Sequence, residues 1–244
     1  KKNIEKLRDA MKNIFFLLVL LSLAGTAFAG LPNIIVDTVI PQPVEPGKDL
    51  TIGITLFNKL DSETGPFSGV LEVRYPVILK SLSDDLAQIN LCTGCTKKNT
   101  YFLSIDPAAI SGTYPIYFRE FSKNVEQKQE IDIKIQGKPN IIFSTNASDL
   151  ANITPNSQFS VILYLANIGS GQARQIKIQP DSPLFAVLGG SVKSVDSLNP
   201  NRTSQLSFNF VSASSLEATS YAIPFKISYL DEQGNSLNTS QSLG

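Results

Sequence analysis

Two cysteines stand three residues apart, at Cys92-Thr93-Gly94-Cys95, and they are the only cysteines in the chain. Such a pair could do one of three things: exchange disulfides, contribute half of a zinc site, or form a structural disulfide. A reactive C-x-x-C sits at a helix N-terminus, where the dipole lowers the thiol pKa. Here Leu91 precedes the pair, and the polar run Thr96-Lys97-Lys98-Asn99-Thr100 leads into an expected strand at Thr100–Ile105. Zinc needs a second pair of ligands, and the chain has no His and no further Cys to supply it. The context favours a structural disulfide between Cys92 and Cys95, whose small loop puts its entropic contribution at the low end of the usual range.

The acidic residues offer less. They cluster at Asp61-Ser62-Glu63 and at Asp84-Asp85, without the D-x-D-x-D-G spacing of a calcium loop. Asp231-Glu232-Gln233-Gly234 reads as a hairpin tip. Two carboxylates could in principle hydrolyse a glycoside. These lie on expected solvent faces, and the chain has no Trp to stack a sugar. The absence of His removes the commonest general base. The expectation is a protein with no catalytic residues, no cofactor and no metal. Four N-x-S/T triplets occur, at Asn146, Asn152, Asn201 and Asn238. With 17 Asn and 41 Ser or Thr in 244 residues, chance alone gives about three. The four are candidate glycosylation sites by position, not by number.

The N-terminus indicates the compartment. Met11 is the only Met, so residues 1–10 read as an upstream extension or a misplaced start. Lys12 is a positive n-region, Ile14–Leu21 is an apolar run, and Ala27-Phe28-Ala29 is a small-x-small cleavage site before Gly30. Residues 11–29 thus read as a secretory signal peptide. The run is too short for a membrane span of about 20 residues. An exported chain would meet the oxidising conditions in which disulfides persist. Of the 21 basic and 21 acidic residues, five and two precede Gly30, leaving 16 against 19 and a net charge of −3. With no basic stripe, nucleic acid is not an expected partner.

From Gly30 the chain repeats. Pro32-Asn33-Ile34-Ile35 returns as Pro139-Asn140-Ile141-Ile142, a shift of 107 residues. A turn pair follows each copy, Pro46-Gly47 and Pro155-Asn156, and then a strand, Leu50–Leu56 and Phe159–Leu165. A repeat of this length matches a domain, giving a first domain at 30–137 and a second at 138–244, the latter ending in what reads as the start of a strand, with further repeats or a distal anchor as an expectation. Apolar residues alternate with polar ones at Leu71-Val73-Tyr75, Tyr114-Ile116-Phe118, Ile131-Ile133-Ile135, Leu206-Phe208-Phe210 and Phe225-Ile227-Tyr229. Period-two alternation marks antiparallel strands with one buried face, and short strands with frequent turns read as β-sandwiches. The one helical candidate after Gly30 is Leu79–Ile89. The short linker Gln136-Gly137-Lys138-Pro139 predicts two sandwiches set end to end.

Three segments of the second copy carry a family resemblance. They are Ala166-Asn167-Ile168-Gly169 with Ala173 and Gln175–Ile178, then Val195–Asn201 feeding Leu206–Phe210, then Ser220–Phe225 running into Tyr229–Gly234. In order and spacing this copy resembles the repeats of archaeal S-layer-related surface proteins, which are similar to the bacterial cell-adhesion-related (CARDB-type) domain. The first copy departs from the pattern, with Asn58-Lys59-Leu60-Asp61 in place of the N-x-G turn and an insertion around the cysteines. The resemblance implies a structural or adhesive role at the cell surface; with the repeat and the alternation, the expectation is an all-β chain of two tandem Ig-like antiparallel β-sandwich domains that serves as a structural or spacer module of an S-layer-like envelope. Its partners would be other envelope proteins or surface glycans, and the resemblance implies no catalytic or cofactor-binding residues. The alternative is a secreted adhesin that binds carbohydrate or protein through the long loops Leu60–Ser68 and Lys80–Asn99. An accessory domain to an enzyme further along the chain is a third reading.

Overall fold

A computed structural model describes residues 30–123, 125–146, 153–217 and 221–243. Residues 1–10 and the expected signal peptide at 11–29 lie outside them, as does Asn152. Among these residues fifteen strands form an all-β, sandwich-like arrangement. In the N-terminal half, β1 (Asn33–Ile40), β2 (Asp49–Phe57), β5 (Thr96–Ile105) and β4 (Val77–Leu82) make one sheet in the order β1-β2-β5-β4. β3 (Ser68–Glu72), β6 (Gly112–Ser122) and β7 (Val125–Ile135) make a second in the order β3-β6-β7. In the C-terminal half, β8 (Ile141–Ser144), β9 (Gln158–Asn167), β11 (Phe185–Leu188) and β13 (Thr203–Ser212) form the sheet β11-β13-β9-β8. β10 (Ala173–Pro180), β12 (Lys193–Leu198), β14 (Ile223–Leu230) and β15 (Ser236–Leu243) form the sheet β12-β10-β14-β15. All the strand pairings are antiparallel, and an isolated parallel bridge joins Val44 to Ile135.

Alternation produces two separate cores. Leu50, Ile52, Ile54 and Leu56 of β2 and Ile131, Ile133 and Ile135 of β7 point into the first. Val161, Leu163 and Leu165 of β9, Phe208 and Phe210 of β13 and Phe225 and Ile227 of β14 point into the second. Edge-to-face contacts between Phe208 and Phe225 (5.5 Å between centroids) and between Phe143 and Phe225 (5.3 Å) fasten the two sheets of the second core.

The internal repeat recurs in the backbone. The turns at Pro46-Gly47 and Pro155-Asn156 close with Lys48 N–H donating to Glu45 (3.2 Å) and Ser157 N–H to Thr154 (3.3 Å). In both, proline is followed by a left-handed residue, Gly47 (φ 74°) or Asn156 (φ 55°), the signature of a type II turn. The Tyr114 hydroxyl donates to the Ile110 carbonyl at 2.8 Å, and 107 residues later the Tyr221 hydroxyl donates to the Glu217 carbonyl at 2.6 Å.

Three expectations need correction. Leu79–Ile89 is not a helix: Val77–Leu82 is β4, paired to β5 with a register shift between Leu79 and Ser81, and bends follow it. Leu79, Leu82, Leu86 and Ile89 have helical spacing, but β5 offers an open edge for Val77–Leu82, and beyond it Leu86 is buried in the core with Ile89 packed against it. Tyr75 is not an inward strand residue. β3 ends at Glu72, and Tyr75 lies 70% exposed in the turn before Pro76, which has no N–H to continue a ladder. The expected loop at Lys80–Asn99 is irregular only over 83–95, because β4 and β5 take its ends.

Candidate functional site

Two of the buried polar side chains among the described residues lie where a long strand ends. Asn58, at the end of β2, and Asn167, the last residue of β9, are both fully buried. The Asn167 carboxamide is satisfied on every side. Its Nδ2 donates to the carbonyls of Gly171 (2.8 Å) and Leu198 (2.9 Å), and its Oδ1 accepts the N–H of Gly169 (3.0 Å) and of Asn140 (3.1 Å). Asn58 repeats the arrangement, donating to Ser62 (2.9 Å), Leu91 (2.9 Å) and Cys92 (3.2 Å) and accepting from Leu60 N–H (2.9 Å). Asn58-Lys59-Leu60-Asp61 therefore does the work of the N-x-G turn without its glycine.

Cys92 and Cys95 are joined in a disulfide, with their Cα atoms 5.2 Å apart. It closes a four-residue turn in which Cys95 N–H donates to the Cys92 carbonyl (3.0 Å) and Gly94 is left-handed (φ 71°). The C-terminal half builds the same turn without sulfur. Arg202 N–H donates to Asn199 (3.2 Å), and Asn201 takes the left-handed position (φ 57°). The disulfide thus crosslinks a turn that the fold already specifies, between strands and not at a helix N-terminus.

The acidic residues do not converge. Asp61 and Glu63 are exposed, Asp84 pairs with Lys97, and Asp85 is exposed. The Lys97 ammonium, through a hydrogen bond and its charge, holds the Asp84 carboxyl below its usual range. Asp231 caps its own hairpin, accepting from Gln233 N–H (2.9 Å), Asn235 N–H (2.8 Å) and Asn235 Nδ2 (2.9 Å). Desolvation alone would raise its pKa, but the hydrogen bonds outweigh it and the net shift is downward. Among the described residues no group of three or more His, Cys, Asp or Glu could hold a metal ion, and no helix is long and apolar enough to cross a membrane. Asn146, Asn201 and Asn238 are exposed. Asn238 borders an open groove of about 540 Å³ on the β10-β14-β15 face, with Lys177, Gln179, Lys226, Ser228 and Ser240. Lys226 is engaged by Asp181 at 2.8 Å.

In the loops that would serve an adhesin, Phe67, Leu86 and Leu91 are buried, and Leu82 is the large apolar side chain left exposed among the described residues. The more distinctive constellation is the joint between the halves. Ser111, in the turn before β6, donates its N–H to the Ser170 carbonyl (2.9 Å), and its hydroxyl accepts the Gly137 N–H (2.7 Å). Lys138 N–H reaches Ser170 Oγ (3.3 Å), and Ser170 N–H returns to the Lys138 carbonyl (3.0 Å). Backbone lies on backbone here. A Cβ built on Gly137 would sit 2.3 Å from Ser170 Oγ and 2.6 Å from its carbonyl carbon, and one on Gly169 would sit 2.3 Å from the Lys138 oxygen. The Lys138–Glu45 pair (2.9 Å) adds a contact between halves, and the hydrogen bond and charge of Lys138 lower the Glu45 pKa. Both side chains are well exposed, so the pair is worth little.

No protein-family model matches the sequence, and no curated protein matches it. Among solved structures the chain is similar to a crystal structure of a protein of unknown function from Porphyromonas gingivalis W83. The identity is 11%, the match covers 87% of this chain and 99% of that chain, and the TM-score is 0.35.

Proposed function

We propose that the chain is an exported, non-catalytic cell-envelope protein whose two Ig-like sandwiches, 30–137 and 138–244, act as a stiff spacer in an S-layer-like surface. The observation that carries the reading is the joint. Domains in one chain move relative to one another by default unless their interface is substantial. Here Ser111 ties the first half to both the linker and the turn of the second half, and Gly137 admits backbone contact that a side chain would block. Two further features support the Ig-like assignment. Tyr114, near the start of β6, and Tyr221, just before β14, each bond the backbone four residues upstream, as in the tyrosine corner of immunoglobulin-type domains. Each half also lays its strands in two sheets around its own core. The inward-turned apolar residues of the long loops weigh against the adhesin reading.

NMR relaxation on the chain tests the joint. The two halves should tumble with one correlation time, and Gly137→Ala should separate their correlation times while the amides of both cores keep their exchange protection. Independent tumbling of the unaltered halves would refute the spacer reading. Recovery of the native protein free in the medium, and not with washed envelopes, would refute its placement.

A further inference from the structure

Glu120 is a carboxylate with no exposed surface. It follows Ile116 and Phe118 on the core-facing side of β6. Its Oε2 accepts from Nε2 of Gln127, the residue opposite on β7, and the same Nε2 donates to the carbonyl of Pro32, just before β1. Oε1 has no hydrogen-bond partner. Among the described residues no cation serves it. Arg119 engages Glu72 and Glu126 instead, and Gly69, opposite on β3, has no side chain. The ionisable group Glu120 acts on is the Tyr101 phenol on β5, which burial pushes up to about 12 and on which the charges of Asp85 and Glu120 act in the same direction. Burial raises the Glu120 carboxyl to about 7. A buried charge without a partner is costly enough that natural proteins pair or neutralise it.

We propose that Glu120 is the internal counter-ion for the α-ammonium of a chain whose first residue is Gly30, with Oε1 as the acceptor. This rests on the reading above that the chain is exported and cut after Ala29. Hydrolysis of the Ala29–Gly30 bond adds one water, leaving a carboxylate on Ala29 and an ammonium with three N–H donors on Gly30. Before the cut, position 30 offers one neutral peptide N–H. The tether is short. Pro32 is buried, Leu31 packs on the first core, and the Cβ position of Gly30 lies 3.1 Å from the Leu60 side chain, so residues 30–32 are drawn against this end of the core. Two residues of chain span at most about 7 Å, which keeps the new terminus near the Gln127 amide that already joins Pro32 to Glu120. Docking the ammonium would anchor the start of β1 across the open edge between β1 and β7.

The test compares three forms of the protein: the 1–244 chain, the chain released from a fusion partner to begin at Gly30, and that chain with its α-amine acetylated. The described fold begins at Gly30, so all three contain every strand. The Glu120 carboxyl is titrated by carbon-detected NMR, and thermal melts are run from pH 5 to 9. The expected result is a Glu120 midpoint about 1–3 pH units lower in the free-amine chain than in the other two. A higher melting temperature at pH 8 should accompany it and vanish in Glu120→Gln. Identical titration of Glu120 in all three forms would overturn the proposal, as would a stability gain that survives Glu120→Gln. N-terminal sequencing of the exported protein is read separately. A start elsewhere than Gly30 would sink the processing on which the proposal rests, whatever the titrations show.

Discussion

Asn167 offers the sharpest test of what holds the C-terminal half in shape. Its carboxamide makes four hydrogen bonds to backbone groups, two as donor and two as acceptor, in a site with no exposed surface. Asn167→Ala leaves the carbonyls of Gly171 and Leu198 and the N–H groups of Gly169 and Asn140 without this partner. At a net worth of about 1 kcal/mol per bond, the loss is about 3–4 kcal/mol, a large share of a domain's 5–15 kcal/mol. Asn167→Asp has nearly the same shape but turns an oxygen towards two carbonyls. Ionisation is then disfavoured in the fold, so the folded pKa of the new carboxyl lies above its unfolded value of about 3.9. The sign follows. The acid form, which supplies one donor, confers its stability fully below about pH 3.9, and that stability is lost as pH rises through the folded pKa. The assay is urea unfolding followed by circular dichroism, with hydrogen exchange at β9 and β13 locating the loss. The reasoning fails if the Ala variant costs under about 1 kcal/mol, or if the Asp variant loses no stability relative to the Ala variant between pH 4 and 7.

Reducing Cys92–Cys95, or replacing both by Ser, should cost no more than about 2 kcal/mol in thermal melts, because the loop is minimal and Asn199–Arg202 makes the same turn unaided; a loss of fold on reduction would contradict this. Tyr114→Phe should cost about 1 kcal/mol, since it removes one hydroxyl donation to a backbone carbonyl, and Tyr221→Phe about 1–2 kcal/mol, since its hydroxyl also accepts the Glu217 N–H; denaturant melts of the single and double variants will show whether the losses add across the two cores. In the 1–244 chain, Glu120→Gln should raise stability at pH 8 by about 2–3 kcal/mol and leave it near parity at pH 4. The carboxyl, raised to about 7 in the fold, gives its full contribution below its unfolded value and loses it as pH climbs through 7. Equal melting temperatures for the two proteins at pH 8 would rule this out.

The period-two pattern made the inward residues of β2, β6, β7, β9, β13 and β14 legible, because one buried face per strand leaves a direct mark on composition. The turns at Pro46-Gly47 and Pro155-Asn156 were legible for a similar reason: proline and a residue tolerant of positive φ are local requirements. The segment after Pro76 was not legible. Leu79, Leu82, Leu86 and Ile89 match a helix as well as a strand followed by an anchoring leucine, and only the open edge of β5 decides between them. The joint was hidden too. Gly137 and Ser111 look like ordinary loop residues until the Ser170 backbone is placed between them. Glu120 did leave a signal, as a charged residue in an inward register after Ile116 and Phe118, but alternation alone does not say what it faces.

Asn58 and Asn167 explain how one architecture survives two different loops. A strand that ends inside a sandwich leaves backbone groups away from water, and each needs a partner. One buried carboxamide serves two carbonyls and two N–H groups at Asn167, so the chain that follows is free to vary once its first few backbone groups are bonded. In the C-terminal half those residues are Ile168-Gly169-Ser170-Gly171, thin enough for the linker to lie on them. In the N-terminal half the same kind of cap is followed by Lys59-Leu60-Asp61-Ser62, and a disulfide-closed turn lies where Asn199–Arg202 lies in the other copy. The two versions of this end of the sandwich therefore differ in side-chain bulk and not in the asparagine cap that holds the backbone. Grafting Gly169-Ser170-Gly171 onto 60–62 should preserve the Asn58 hydrogen bonds and the fold of the first core while removing the bulk of Leu60 from that end.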